Sequence, residues 1–285
     1  MEAPFVRSFH FRFLTTCLLV LLCSMVSAQK RVSVLGDSYS AYMGYVYPPD
    51  FDSYAYYYSW GGTTDVRYVE QMWWYQVIDH FDWVLERNCS LRGSFICNVG
   101  DGGEDFSSYS FTERMDELGN PDVILIAGGT NDAWRDSPMG DYKYENITTS
   151  DLRYFRPALA KVLSWTIAHY NAAVYFVLNS GLGNVVDESV IRICDHYGVG
   201  CIKLADGMDR QSDHPTIYGM KQISSQVISY IEAHPPVPTS ISAPFSEGNY
   251  QEEWYSLDGQ RMNTPRKGIN IMRTRDGKWK KQVVR

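Results

Sequence analysis

The sequence predicts a three-layer α/β/α domain built on a parallel central sheet. Apolar runs of strand length alternate with amphipathic stretches of helical period over residues 31–233, and this alternation is typical of βαβ units. The run that ends at Ala127 is uninterrupted, as expected for a central strand covered by helices on both faces. Small and polar residues directly follow three of the runs, so a functional site is expected at the carboxyl edge of the sheet.

Five strands and the helices between them are predicted from these periods. The strands are residues 31–35, 83–88, 122–127, 173–178 and 201–204, and the helices are residues 65–80, 111–118, 151–169, 188–196 and 216–233. Thr149 or Ser150 is the expected cap of the helix that starts at residue 151. Residues 39–64 are rich in Tyr, Pro and Gly without either period, which indicates a loop that packs as a lid or forms an aromatic wall for substrate.

The chain of 285 residues has room for one large core and an appendage. Residues 1–28 have the pattern of a secretory signal, in which Arg7 and Arg12 precede an apolar run and small residues precede a cut at Gln29. No later run has the length of a membrane span. We therefore expect a soluble protein that is secreted, periplasmic or at the cell surface.

Four cysteines remain after the signal is removed, namely Cys89, Cys97, Cys194 and Cys201. An oxidising compartment allows three pairings, of which the two local ones, Cys89–Cys97 and Cys194–Cys201, are favoured. Buried free thiols are the alternative. The spacings differ from those of zinc sites, and no metal is predicted.

Charge and composition divide the mature chain into three parts. The α/β domain is expected over residues 29–235, a Pro- and Ser-rich linker over 236–249, and a basic β-rich tail over 250–285. Nine Lys or Arg against four Asp or Glu give residues 249–285 a net charge of +5, whereas the whole chain carries −7. The main domain is therefore acidic, which argues against nucleic acid as a partner. Two Asp-Gly turns between short alternating runs predict a small hairpin module in the tail.

The first candidate functional residue is Ser38, which follows the first strand in the sequence Gly36-Asp37-Ser38. A small residue at the end of a strand lets a serine hydroxyl point out of the turn, as a nucleophile requires. The alternative is that Ser38 caps the next segment.

Two further candidates follow the second and third strands. Gly93 lies in a turn after the second strand, and Asn131 lies in Gly128-Gly129-Thr130-Asn131-Asp132 after the third. A side-chain amide is an uncharged donor that can hold a developing oxyanion, although Asn in such a position also caps loops. The glycine-rich acidic segment 98–105 lacks the residues of a phosphate-binding loop and is predicted as a turn, with a calcium site as the alternative.

His214 is the histidine that stands apart from the rest. The other histidines of the mature chain lie at or near predicted helix ends, whereas His214 lies in a polar loop before the last helix. It is therefore the candidate general base.

In this order, the blocks around Ser38, Gly93, Asn131 and His214 resemble those of the SGNH hydrolases, also called the GDSL esterase and lipase family. The resemblance covers about 200 residues. It implies a flavodoxin-like order of the five-stranded sheet and ester hydrolysis without a metal or organic cofactor. It further implies that Ser38 is the nucleophile, that Gly93 and Asn131 hold the oxyanion, and that His214 is the base.

The resemblance is incomplete at one position, because Gln211 stands where the family has an aspartate three residues before the histidine. An acid there would orient the ring and stabilise the imidazolium. Gln211 is the first candidate for accepting the second N–H of His214, ahead of Asp213, and Asp209 or Asp206 are further candidates.

These features predict a secreted serine esterase, and the aromatic content favours a short acyl group such as acetyl on a carbohydrate. A lipid esterase or thioesterase is an alternative, and so is a carbohydrate-binding or surface protein whose active site has decayed. The tail resembles short C-terminal β modules on proteins exported by Gram-negative anaerobes of the Bacteroidetes type. That resemblance implies a role in export or surface display.

Overall fold

A computed structural model describes residues 28–58, 63–100 and 102–239, together with residues 253–256, 261–262, 264–273 and 279–284. The predicted signal, apart from Ala28, and most of the predicted linker lie outside these residues. The chain divides into two compact units, Met1–Ile241 and Ser242–Arg285.

The first unit is built on a parallel sheet of five strands. They are β1 (Arg31–Gly36), β2 (Val84–Ser90), β3 (Val123–Ala127), β4 (Ala173–Leu178) and β5 (Gly200–Lys203). Their order in the sheet is β2-β1-β3-β4-β5, which is the flavodoxin-like order. The predicted fold class is therefore confirmed, and the carboxyl ends of β1, β2 and β3 lie side by side.

Six helices lie among the described residues of this unit. They are α1 (Trp73–His80), α2 (Phe111–Arg114), α3 (Thr130–Trp134), α4 (Phe155–His169), α5 (Asn184–Tyr197) and α6 (Ile217–Ala233). Helices α1 and α6 pack together, as do α4 and α5. Because successive side chains of a strand point to opposite faces, Val34 and Leu125 belong to the core under α1 and α6, and Leu35 and Ile126 to the core under α4 and α5.

Two helices begin later than the sequence predicts, because side chains hold the preceding backbone in turns. Before α1, the N–H groups of Arg67 and Tyr68 donate to Oε1 of Gln71 at 2.7 and 2.9 Å. Before α4, Asp151 accepts from the Thr148 N–H at 2.7 Å and its Oδ2 lies 2.6 Å from Nζ of Lys143. Neither Thr149 nor Ser150 caps α4, which begins after Tyr154 without a side-chain cap.

The segment between β1 and α1 packs as an irregular layer in its described part. It contains a 3-10 helix at Pro49–Tyr54 and single β-bridges from Tyr42 to Tyr57 and from Val46 to Asn88. Tyr56 and Tyr57 are buried. The predicted lid therefore packs against the domain over residues 39–58.

The loop before α6 forms a short antiparallel hairpin that the sequence analysis did not predict. Strands β6 (Arg210–Gln211) and β7 (His214–Pro215) pair, with Gln211 opposite His214. The turn residues Ser212 and Asp213 have φ values of 50° and 64°. Two left-handed residues in succession make a turn of type I′, which matches the twist of a two-residue hairpin.

The second unit contains strands β8 (Glu253–Tyr255), β9 (Arg261–Met262), β10 (Gly268–Arg273) and β11 (Trp279–Val284). They form an antiparallel sheet in the order β11-β10-β8-β9. The predicted small β module is present, with the pairs β8–β9 and β10–β11 at the expected hairpins. The Asp-Gly turns themselves lie outside the described residues.

The four cysteines of the described chain are free thiols, so neither predicted disulfide is formed. The Cys89 thiol donates to the carbonyl of Glu117 at 3.4 Å, and the Cys97 thiol donates to the carbonyl of Val99 at 3.5 Å. Cys194 and Cys201 are neighbours, joined by a hydrogen bond between their thiols. The buried-thiol alternative therefore describes Cys89, Cys97 and Cys194, while Cys201 is partly exposed.

No helix in the described part of the chain has the length and apolar character needed to cross a membrane.

Candidate active site

The turn after β1 presents Ser38. The Ser40 N–H donates to the carbonyl of Asp37 at 3.1 Å, and the Tyr39 N–H donates to Oδ1 of Asp37 at 3.0 Å. A Cβ on Gly36 would lie 2.6 Å from Oγ of Ser90 and 2.8 Å from Cβ of Ser40. Only glycine therefore fits where β1 passes into the turn that carries the serine.

The β6–β7 hairpin brings His214 to this turn, and its Nε2 lies 2.9 Å from Oγ of Ser38. The Arg210 side chain helps to hold the hairpin in place. Nη2 of Arg210 donates to Oδ1 of Asn179 at 3.0 Å and to the carbonyl of Ser180 at 3.1 Å. A serine hydroxyl and an imidazole at this separation have the geometry of a nucleophile and its general base.

The second ring nitrogen of His214 meets a backbone carbonyl instead of a side chain. Its Nδ1 lies 3.0 Å from the carbonyl oxygen of Ser212, so Nδ1 carries the proton and Nε2 accepts from Ser38. The Gln211 side chain is exposed and does not make this contact. The type I′ turn directs the Ser212 carbonyl back towards the ring, so this carbonyl lies at Nδ1 where the sequence predicted the Gln211 amide.

The aspartates named as further candidates do not contact the ring nitrogens either. Asp209 accepts from the Thr216 hydroxyl, and its own N–H donates to Oε1 of Gln222 at 2.8 Å. Asp206 and Asp213 are exposed. A carbonyl orients the imidazole but carries no net charge, so neither ring nitrogen of His214 bonds to a carboxylate in the described part of the chain.

Candidate oxyanion donors lie around Ser38. Gly93 adopts a φ of +73° in the turn after β2, a conformation that favours glycine. Among the described residues, neither the Ser38 N–H nor the Gly93 N–H has a hydrogen-bond acceptor. Asn131, on the short helix α3, donates one N–H to the carbonyl of Ser94 at 2.9 Å. That bond fixes its amide and leaves a second N–H for another acceptor.

A buried arginine that the sequence analysis missed ties these turns together. Arg114 donates to the carbonyls of Gly36 and Cys89, at the ends of β1 and β2, and at 2.9 Å to Oγ of Ser94. It is 2% exposed, and burial lowers its pKa to about 10. A lone arginine in a short helix gives no sequence signal for this role.

Asp132, next to Asn131, supports the turn after β2 from the other side. Its carboxylate accepts from the N–H groups of Ile96 and Cys97 at 2.9 and 3.2 Å. Burial raises its pKa to about 6. Asn131 and Asp132 therefore contact neighbouring parts of the same turn. Asn131 bonds to the carbonyl of Ser94, and Asp132 bonds to the backbone N–H groups of Ile96 and Cys97.

Burial also shifts the pKa values of His214 and of Asp37, the residue before Ser38. Burial lowers the pKa of His214 from its usual 6.5. The Ser212 carbonyl and the Asp213 carboxylate have the opposite effect and raise this pKa, but burial is the larger effect. It raises the pKa of Asp37 to about 7. A neutral His214 at neutral pH is the state that can accept a proton from Ser38.

Among the described residues, no group of three or more His, Cys, Asp or Glu side chains is placed to hold a metal ion. The glycine-rich segment forms a turn in its described part, where the Gly100 N–H donates to the Glu104 carbonyl at 3.1 Å.

The family model described as GDSL-like Lipase/Acylhydrolase matches residues 30–231. This chain belongs to that family and is an ester hydrolase of the GDSL type. Crystal structures of similar proteins agree with this assignment. One, described as a GDSL-like lipase from Bacteroides ovatus ATCC 8483, is 45% identical with a TM-score of 0.70, and the match covers 73% of this chain and 100% of that one.

A second, described as a GDSL-like lipase from Bacteroides uniformis ATCC 8492, is 41% identical with a TM-score of 0.70 and coverage of 73% and 97%. A carbohydrate esterase whose active site is described as having catalytic and non-catalytic binding functions is 15% identical, with a TM-score of 0.50 and coverage of 73% and 70%. That likeness concerns the fold alone. None of the curated proteins compared with the chain matches it.

Proposed function

We propose that this ester hydrolase is a secreted serine esterase in which Ser38 forms an acyl-enzyme with His214 as its general base. The observation that carries the proposal is the 2.9 Å separation of Ser38 Oγ and His214 Nε2, beside two N–H groups that have no acceptor among the described residues. His214 takes the Ser38 proton as Oγ attacks the ester carbonyl, a general-base contribution of about 10²–10⁴-fold.

The oxyanion is held by the N–H groups of Ser38 and Gly93 and by the second side-chain N–H of Asn131. Loss of one such donor typically lowers the rate by about 10²–10³-fold. The protonated His214 then gives its proton to the leaving alkoxide. Water, activated by the same imidazole, hydrolyses the acyl-enzyme and restores Ser38.

The proposed substrate is a short acyl ester, such as acetyl, on a carbohydrate. Trp134 supports this choice, because it lies one helical turn after Asn131 on α3 and is 43% exposed. Its ring packs edge-on against Tyr39, the residue after Ser38, with centroids 6.4 Å apart. An exposed indole at the rim of the site offers a flat apolar face to a sugar ring.

The esterase proposal is tested by hydrolysis of nitrophenyl acetate by the wild type and by Ser38→Ala. We expect the variant to lose nearly all activity, and equal rates would refute the serine mechanism and favour a decayed carbohydrate-binding protein. A series of nitrophenyl esters of increasing chain length then separates the acetyl esterase from a lipid esterase. We expect acetate to be the best substrate.

The carbohydrate proposal is tested by acetate release from a panel of acetylated polysaccharides. We expect marked preference for one class of polymer. Trp134→Ala should raise KM for the preferred polymer and leave KM for nitrophenyl acetate unchanged, because the small ester does not reach the indole. Flat release across the panel would argue against a carbohydrate substrate.

Export is proposed from the N-terminal segment and from the tail. The predicted cut before Gln29 is tested by N-terminal sequencing of protein recovered outside the cytoplasm. The tail forms its own compact sheet and is basic, which suits a separate role in export or surface display. Deletion of residues 250–285 should change the cellular fraction that holds the enzyme while leaving its nitrophenyl acetate activity intact.

A further inference from the structure

Three tyrosines of the segment after β1 surround the imidazole of His214. The Tyr56 ring lies parallel to the imidazole, with centroids 3.5 Å apart and an angle of 8° between the planes. Tyr39 lies at 5.4 Å and 57°, and Tyr57 lies edge-on at 6.5 Å and 74°. One face of the imidazole is therefore covered by Tyr56.

The hydroxyls of the other two tyrosines hold the backbone on both sides of the histidine. Tyr39 Oη donates to the carbonyl of Asp213 at 2.6 Å, and Tyr57 Oη donates to the carbonyl of Pro215 at 3.1 Å. These carbonyls belong to the residues directly before and after His214. All three tyrosines are less than 10% exposed, so solvent does not compete for the two hydrogen bonds.

In a Ser-His-Asp triad a carboxylate bonded to the imidazole performs two tasks, orienting the ring and stabilising the imidazolium. Among the described residues, no carboxylate bonds to the ring nitrogens of His214. The single bond from Nδ1 to the Ser212 carbonyl fixes one edge of the ring. A parallel ring at 3.5 Å restricts its tilt. The face of a tyrosine ring also attracts a cation placed over it, and His214 becomes a cation when it takes the Ser38 proton.

We propose that Tyr56 is a positioning residue that performs the tasks of the missing acid, with Tyr39 and Tyr57 completing a three-tyrosine clamp on His214. In the proposed cycle, the proton moves from Ser38 Oγ to Nε2 while the Nδ1 proton stays on the ring and bonds to the Ser212 carbonyl. The positive charge then lies under the Tyr56 ring. The same proton leaves with the alcohol, and the imidazole returns to its neutral state against the same ring.

This inference rests on the proposed function and makes a claim of its own. Tyr56 acts through His214, so it should affect kcat more than KM. If Tyr56 were instead an aromatic wall for substrate, it should affect KM and should do so whether or not the histidine is present.

The test compares Tyr56→Leu, which removes the ring, with Tyr56→Phe, which keeps it, on nitrophenyl acetate. We expect Tyr56→Leu to lower kcat by about 5- to 30-fold, which is the range of a desolvated cation–π contact. KM should stay within about 2-fold of the wild type, because a group that only orients the base adds little ground-state binding. Tyr56→Phe should keep most of the activity. The control is Tyr68→Leu, since Tyr68 is 67% exposed and makes no ring contact with His214 in the described chain.

A double-mutant cycle with His214→Ala tests whether Tyr56 acts on catalysis through His214. We expect Tyr56→Leu to have no further effect on the residual activity of His214→Ala. An equal loss in both backgrounds would overturn the proposal and assign Tyr56 to substrate binding. An unchanged kcat in Tyr56→Leu would also overturn it, while Ser38-dependent hydrolysis by the wild type would leave the esterase proposal standing.

Proton NMR of His214 in the Ser38→Ala protein detects the stacking of Tyr56 on the imidazole in the absence of turnover. The imidazole protons should be shifted upfield by the Tyr56 ring, remain so in Tyr56→Phe, and move downfield in Tyr56→Leu. Shifts that do not respond to Tyr56→Leu would refute the stacked arrangement.

Tyr56→Met, which fills a similar volume without a ring, replaces Tyr56→Leu if that variant does not fold. Failure of the esterase proposal is a separate result, in which wild type and Ser38→Ala hydrolyse equally slowly.

Discussion

The imidazole of His214 lies 2.9 Å from Ser38 Oγ, although 175 residues of chain separate the two positions. Its other nitrogen bonds to the carbonyl of Ser212 at 3.0 Å. The hydroxyl and the imidazole are therefore paired with the geometry of a Ser-His-Asp triad, while a neutral carbonyl lies where such a triad has its acid.

The first prediction concerns Gln211, whose side chain is exposed and apart from the ring nitrogens. We expect Gln211→Ala to keep kcat/KM within about 2-fold of the wild type, as for a surface change away from special features. His214→Ala should lower it by about 10²–10⁴-fold. The measurement is nitrophenyl acetate hydrolysis at neutral pH. A large loss in Gln211→Ala would mean that the amide reaches the ring during turnover.

The second prediction concerns Asn131. Asn131→Ala should lower kcat by about 10²–10³-fold with little change in KM, because the donor acts on charge that develops only in the transition state. Asn120→Ala is the matched control, since Asn120 is exposed and precedes β3 at the opposite end of the strand. Equal kinetics for Asn131→Ala and the wild type would remove Asn131 from the oxyanion site.

The third prediction is the pH dependence of kcat/KM. Burial lowers the pKa of His214 below 6.5, and the base works in its neutral form. Activity should therefore rise with pH through a midpoint below 6.5. The neighbouring charges give opposite shifts: Asp213→Asn removes a carboxylate that raises the pKa and should lower the midpoint, whereas Arg92→Gln removes a cation and should raise it. Shifts of the reverse sign would contradict the assignment of His214 as the base.

The fourth prediction links Asp37 to stability. Its pKa is raised from 3.8 to about 7 by burial, so the folded protein binds a proton that the unfolded chain has lost between these pH values. The free energy of unfolding should therefore fall as pH rises from about 4 to about 7, by an amount on the order of 4 kcal/mol for this group. Asp37→Asn should make the profile of urea midpoints shallower over this range, and the slope that remains below pH 6 belongs to Asp132, whose pKa burial raises to about 6. The control Asp206→Asn, at an exposed position, should leave the profile as in the wild type.

The fifth prediction concerns the thiols. Burial raises the pKa of Cys89 and of Cys97 to about 12, whereas the hydrogen bond from Cys194 lowers the pKa of the partly buried Cys201. The thiolate is the reactive form, so a maleimide should modify Cys201 first in the native protein. Mass spectrometry of the labelled peptides checks this order. Rapid labelling of Cys89 or Cys97 would contradict their buried state.

The sequence alone determined the fold class and the members of the Ser38–His214 pair. Buried parallel strands are recognisable from their composition, and the residues that follow them must meet at one edge of the sheet. Three of the predicted site residues follow strands that are neighbours in the sheet: Ser38 follows β1, Gly93 follows β2 and Asn131 follows β3. The strand order therefore places these residues close together at the carboxyl edge of the sheet.

Only the tertiary structure decided what surrounds the imidazole. The Nδ1 contact depends on the left-handed conformation of Ser212 and Asp213, which a local sequence without glycine does not reveal. Arg114 and the three tyrosines act on residues distant in sequence, where composition shows only an ordinary helix and an aromatic loop. The packed interior also decides the direction of the Cys89 and Cys97 side chains. Their thiols donate to two different carbonyls, those of Glu117 and Val99, and do not pair with each other.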